Sequence, residues 1–117
     1  MSATVLIVDD HPGFRSAARA LLEAEGYHVV AESATGGEAL EAAGRLHPAL
    51  VLLDIGLPDL DGIEVAGRLT ATDDAPTVVL TSSRDSSDYR PFIETCGACG
   101  FIPKAELSGE AIAHLAA

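Results

Sequence analysis

No apolar run in this 117-residue chain reaches the roughly 18–20 residues that a membrane span needs. The N-terminus also lacks a basic stretch followed by an apolar one, so no secretory signal is read there and a cytoplasmic protein is expected. Basic residues are scarce: 7 Lys and Arg stand against 18 Asp and Glu, for a net charge of −11. Phosphate backbones are gripped by basic faces, which argues against this domain touching nucleic acid directly. A cation site, or plain solubility, is compatible with the acid excess. Cysteine is rare too, and the two form one Cys96-Gly97-Ala98-Cys99 pair. Zinc would need a second pair of ligands, and a redox pair wants a helix N-terminus after a strand. Here the pair follows a helical pattern and precedes a strand pattern, so it reads as small residues at a helix–strand joint. No internal repeat or low-complexity linker divides the chain. No GxxxxGK[ST] loop is present either, which removes the ATPase class even though ALVLLD looks like its acidic strand.

What is present is a well-stocked core. Hydrophobic residues make up 48% of the chain and mean hydropathy is +0.26, enough for a single folded domain over residues 1–117. Strand-like and helix-like patterns alternate. Thr4–Val8 reads as a strand. A helix with Phe14, Ala18, Leu21 and Leu22 inward follows, with Pro12 in its first turn and Gly26 at its end. His28–Glu32 is a second strand, and Gly37–Leu46 a second helix with Ala39, Leu40, Ala43 and Leu46 on one face. Ala49–Leu53 is an unbroken apolar run ending in Asp54. A third helix follows Gly62, with Ile63, Ala66 and Leu69 inward. Pro76–Thr81 is a fourth strand, and Tyr89, Phe92, Ile93 and Cys96 mark a fourth helix. Gly100–Pro103 is a short fifth strand, and Ser108 caps a last helix with Ile112 and Leu115. Strands 1, 3 and 4 are continuous apolar runs rather than alternating ones. Such strands are buried on both faces, which predicts an α/β, doubly wound parallel sheet with helices on each side.

In such a sheet, ligands sit beyond the carboxyl ends of the strands at the switch point. Asp9 and Asp10 end strand 1, Asp54 ends strand 3, Thr81 and Ser82 end strand 4, and Lys104 ends strand 5. Three carboxylates, a hydroxyl and an ammonium are thereby predicted to converge. Two like charges at 4 Å repel by about 1 kcal/mol in water and by about 4 kcal/mol at an effective dielectric of 20. A three-carboxylate pocket therefore calls for a cation, and oxygen ligands select a hard one, Mg²⁺ or Ca²⁺. Magnesium typically leaves room in its shell for phosphate. With Lys104 and Thr81 beside it, the site looks built for phosphoryl transfer, with Asp54 as the nucleophile that forms an acyl phosphate. Taken singly, each residue has a plainer reading: Asp10 as a cap of the first helix, Lys104 as a surface residue, His11 as a solvated loop residue. Their coincidence on one edge carries the inference.

The stretches LIVDDHPGFR, SATGGEAL, LVLLDIGLPDLDGIEV, TVVLTSS and CGACGFIPK resemble receiver domains of two-component response regulators, in order and over nearly the whole chain. DHPGFR and GFIPK look most like the NarL/FixJ type. The resemblance implies a flavodoxin-like (βα)5 fold with strand order 2-1-3-4-5. It implies that Asp54 accepts phosphate from a histidine kinase's phosphohistidine, and that Mg²⁺ is bound by Asp10 directly, by Asp9 through water, by Asp54 and by the Gly56 carbonyl. Thr81 and Phe101 become the switch pair and Lys104 the phosphate-binding lysine, making the protein a switch rather than a classified enzyme. A cognate histidine kinase, a C-terminal helix-turn-helix output domain and a phosphorylation-linked homodimer are the partners implied. The last helix stops short and uncapped at Leu115-Ala116-Ala117, which adds to the expectation of a longer native chain. Three departures stand out: Phe101 occupies a place where Tyr is common, Ala105 rather than Pro follows Lys104 where a cis peptide is usual, and Ser82 beside Thr81 offers a second hydroxyl for the switch.

Other classes compete. A stand-alone or hybrid-kinase receiver would act by protein contact alone. Asp59-Leu60-Asp61-Gly62 matches the DxDG of haloacid-dehalogenase-type phosphatases, but that motif must directly follow a strand and here it follows Leu57-Pro58. Ser33-Ala-Thr-Gly-Gly37 imitates a flavodoxin phosphate loop, yet the loop after strand 1, where the flavin phosphate would bind, is acidic.

Overall fold

The computed structural model describes residues 3–73, 75–82 and 100–116, with side chains of the last helix up to Ile112. The expected fourth helix and the Cys96–Cys99 pair lie outside the described residues.

Five strands form one parallel sheet: β1 Thr4–Val8, β2 His28–Ser33, β3 Leu50–Asp54, β4 Thr77–Ser82 and β5 Gly100–Pro103. Their order is β2-β1-β3-β4-β5, so the chain reverses direction across the sheet between β1 and β3. Strands β1, β3 and β4 supply residues that are almost completely buried, because helices cover both faces. On one face Ala18 and Leu22 of α1 (Pro12–Ala24) and Ile112 of the last helix (Gly109–Ala116) pack on Val5, Ile7, Leu50, Leu52 and Val79. On the other, Ala39, Ala42 and Ala43 of α2 (Gly36–Leu46) join Val65, Ala66 and Leu69 of α3 (Gly62–Thr70) over Leu6, Val8, Val51, Leu53 and Leu80.

The local signals act as expected, with corrections. Pro12 opens α1, and Gly26 follows its end at φ +92°. Asp10 does not cap α1: His11 holds that place, without a side-chain cap. Leu46 is 39% exposed rather than inward, and Ala42 takes its place in the core. Its turn is the last of α2, after which His47 goes left-handed (φ 48°) and the chain turns toward β3. Ser108 caps the last helix by accepting from the Ala111 N–H at 3.0 Å.

Candidate functional site

The switch point lies between β1 and β3, and the polar residues gather beyond it. Asp54 is the last residue of β3, in register with Thr81 on β4. The loop after β1 brings Asp9, Asp10 and His11 to the same edge, where one ligand atom from each of Asp9, Asp10, His11 and Asp54 lies within 4.8 Å of the others. Lys104, the only lysine of the chain, reaches back from the 3-10 turn that follows β5 (Lys104–Glu106). Its Nζ is 2.7 Å from Asp9 Oδ2 and 3.4 Å from Asp54 Oδ2. No described peptide bond is cis, that after Lys104 included.

Burial sets the electrostatics. Asp9, Asp54 and Thr81 are all buried. Burial pushes the Asp54 carboxyl above its ordinary value; the Gly56 N–H, donating to Oδ1 at 3.1 Å, pulls it back, the Asp9 charge adds to the rise and Lys104 opposes it. For Lys104, burial acts to lower the ammonium's pKa, but contact with Asp9 and the charges of Asp54 and Asp9 outweigh it, and the net shift is upward. An ammonium held this firmly is the counter-charge that lets two buried carboxylates coexist.

Three polar atoms in the pocket are buried without a hydrogen-bond partner, Asp9 Oδ2, Asp10 Oδ1 and Thr81 Oγ1, the first of them ion-paired with Lys104. Such atoms are rare in folded proteins and point to a missing ligand. Asp10 Oδ1 lies 3.0 Å from His11 Nδ1, which is the same distance from Asp9 Oδ1. His11 is thus tied to the acidic pair although its side chain is 68% exposed, a correction to its reading as a merely solvated residue. Gly56 is exposed on the loop after β3. Phe101 is half-buried on β5, against the α2–α3 face of the core.

Three supports were not read from the sequence. Arg15 Nη1 donates to the Asp9 carbonyl at 2.6 Å, and its Nε pairs with Glu32. The Phe14 ring lies under Lys104 Nζ, 4.6 Å from its centroid, a cation–π contact. Asp59 bonds the N-terminus of α2. Helical spacing marked Phe14 only as core, and no pattern links residues so far apart in the chain.

A doubly wound domain with an acidic, cation-ready pocket and an ammonium at its switch point is the class that fold and site define. The chain belongs to the response regulator receiver domain family, whose model matches residues 5–116. It is 41% identical over 113 residues to the transcriptional regulatory protein KdpE of Mycobacterium tuberculosis, covering 97% of this chain and 49% of that protein. It is 38% identical over 104 residues to a protein-glutamate methylesterase/protein-glutamine glutaminase of Hahella chejuensis, covering 87% of this chain and 30% of that one. Among solved structures, a LuxR-family two-component response regulator from Aurantimonas sp. SI85-9A1 superposes with a TM-score of 0.87 at 33% identity, over 99% of this chain and 86% of that one. The chain spans about half the length of the first curated relatives it matches. No helix among the described residues is long and apolar enough to cross a membrane.

Proposed function

We propose that this domain is a phosphorylation-operated switch whose phosphoacceptor is Asp54. The observation that carries the reading is the placement of Asp54: a buried carboxylate at the end of β3, within reach of the only lysine and beside an acidic pair. An Asp54 carboxylate oxygen attacks the phosphorus of a phosphohistidine on a cognate histidine kinase. The new O–P bond forms as the P–N bond breaks, and the imidazole leaves with the electron pair. Lys104 neutralises charge on the phosphoryl oxygens, and the unpartnered Thr81 hydroxyl donates a hydrogen bond to one of them. The donor set fits a hard divalent cation: carboxylate oxygens within 4.8 Å, one of them, Asp10 Oδ1, buried without a hydrogen-bond partner. Asp10, Asp54, the Gly56 carbonyl and, through water, Asp9 would hold it. Magnesium there supplies positive charge to the transferring phosphoryl group.

The output is a change of shape. As Thr81 turns toward the phosphate it vacates space beside β5, which Phe101 fills, shifting a pre-existing two-state equilibrium on the surface around β5. Phe has no hydroxyl, so packing alone stabilises either position. The transcriptional regulators among the relatives support a DNA-binding output domain, of the helix-turn-helix kind, as reader of that surface. The esterase relative supports a second possibility, a different output on the same receiver. Incubation with acetyl phosphate and Mg²⁺ followed by intact-mass measurement tests the acceptor. The wild type should gain one phosphoryl group and Asp54→Asn none; an equal rate of gain in the variant overturns the assignment.

A further inference from the structure

The sequence holds two motifs that the proposed function leaves unused: the phosphate-loop-like Thr35-Gly36-Gly37 and the DxDG of Asp59–Gly62. The structure joins them. The anion at the glycine pair is the chain's own Asp59, whose Oδ1 accepts from the Gly36 N–H at 2.8 Å and whose Oδ2 accepts from the Gly37 N–H at 3.0 Å. The remaining donors of that helix start are also taken. Thr35 Oγ1 caps the helix by accepting from the Glu38 N–H at 3.1 Å, and Glu38 Oε1 reaches back to accept from the Ala34 N–H at 3.0 Å, one residue before the cap. With its first-turn N–H groups occupied, this helix start has none left for an outside phosphate. The second Asp of DxDG, Asp61, caps α3 by accepting from the Ile63 N–H at 2.8 Å. One acid thus secures each of two neighbouring helices.

Residues 55–61 form the loop from β3 to α3, and this loop carries Gly56. Its ends are closed where the Gly62 N–H donates to the Ile55 carbonyl at 3.0 Å, and the Ile55 N–H is fixed to the Thr81 carbonyl at 3.0 Å. Its tip rests on α2. A Cβ at Gly36 would come within 2.9 Å of Leu60 Cβ and of Val65 Cγ2, so the loop and α3 already press on the glycine backbone. The two N–H bonds hold the Asp59 carboxyl below its ordinary value, so it stays charged opposite the positive end of α2.

We propose that Asp59 is a positioning residue for phosphoryl transfer: by pinning the loop tip to the first turn of α2, it fixes the Gly56 peptide that holds the Asp54 carboxylate. The proposal rests on the reading of Asp54 as phosphoacceptor, and its test separates the two. Asp59→Ala and Thr35→Ala each remove a hydrogen-bonding partner from the start of α2, but only the first releases the loop. Two measurements are compared in both variants: amide exchange of Gly56 in phosphate-free, metal-free protein, and the rate of phosphorylation by acetyl phosphate at saturating Mg²⁺. Asp59→Ala should speed Gly56 exchange and slow phosphorylation about tenfold, since small displacements of reacting groups carry penalties of that order. Thr35→Ala should leave both within about twofold of wild type. Asp59→Asn keeps one acceptor oxygen and should fall between Asp59→Ala and wild type, which also covers the case in which Asp59→Ala does not fold. Equal behaviour of Asp59→Asn and Thr35→Ala in both measurements overturns the proposal. A wild type that takes up no phosphate overturns the phosphoacceptor reading instead, while Gly56 exchange still judges the anchoring by Asp59.

Discussion

Asp54 is held in a compromise: its carboxylate is buried, next to Asp9, and balanced by one ammonium shared with Asp9. The net effect raises its pKa, burial being the largest cause. A carboxyl whose pKa is higher in the folded than in the unfolded state adds stability below its unfolded value and loses it as pH rises through the folded value. Ionised Asp54 therefore works against folding at neutral pH when no cation is bound. Asp54→Asn should raise the melting temperature of the metal-free protein at about pH 7. The gain should shrink as pH is lowered through the raised pKa toward the ordinary carboxyl value of 3.8, where the wild-type side chain is also neutral. Thermal melts in chelator across that range check this, and a gain independent of pH would point to packing instead. Lys104 is also shifted upward, which for an ammonium favours the charged form: its stabilisation is fully present below the ordinary 10.5 and is lost as pH rises through the raised value. The members of this cluster were legible in the sequence because each ends or follows a strand of one parallel sheet. Their partners were not, since the pairings of Lys104 with Asp9 and of Arg15 with the Asp9 carbonyl depend on how helices and turns fold back over the edge.

At the scale of elements, the glycines around β3 and α3 show where backbone closeness builds the site. A Cβ at Gly62 would collide with the Asp54 carbonyl oxygen and the Ile55 Cα, both main-chain atoms that cannot step aside. Gly62→Ala should therefore cost about 2–3 kcal/mol through overpacking and disturb the acidic pocket with it. Gly44, in the exposed part of α2 with nothing within 4 Å of a built Cβ, offers the contrast. Gly44→Ala should stabilise by about 0.5–1 kcal/mol, because Ala loses less backbone entropy in a helix. Urea unfolding of the two variants separates them by sign. The described elements were readable in advance because the punctuation is strong: Pro12 and Ser108 sit at helix starts, Gly26 just past a helix end, and continuous apolar runs mark the central strands. The failures are instructive in the same terms. Helical spacing placed Leu46 in the core, but it lies in the last turn of α2, just before the left-handed His47 turns the chain toward β3, and it stays 39% exposed. Asp59 was read only as part of a rival motif, because its partners are 22 and 23 residues away in sequence and adjoin it only when α2 and α3 pack side by side.

Across the whole molecule, a net charge of −11 means that self-repulsion weakens the compact state, and the pocket gathers three of the acids at one point. Folding brings together Asp9, Asp10 and Asp54, which lie up to 45 residues apart in the chain, with a single lysine to offset them. A divalent cation that binds this assembled cluster and not the unfolded chain must raise stability. At 100 times its dissociation constant the gain is about 2.7 kcal/mol. For a domain of this size that corresponds to a rise of about 10 °C in melting temperature. General screening of the acidic surface adds a second, non-specific part, which sodium chloride at matched ionic strength reproduces. The specific part belongs to the pocket, where Asp10 Oδ1 is buried with no hydrogen bond to satisfy it. Millimolar Mg²⁺ should therefore stabilise the wild type well beyond the salt control, and Asp10→Ala should respond to Mg²⁺ no more than to sodium chloride. An equal magnesium response in wild type and Asp10→Ala would place the stabilising ion elsewhere on the acidic surface and remove the pocket as its site.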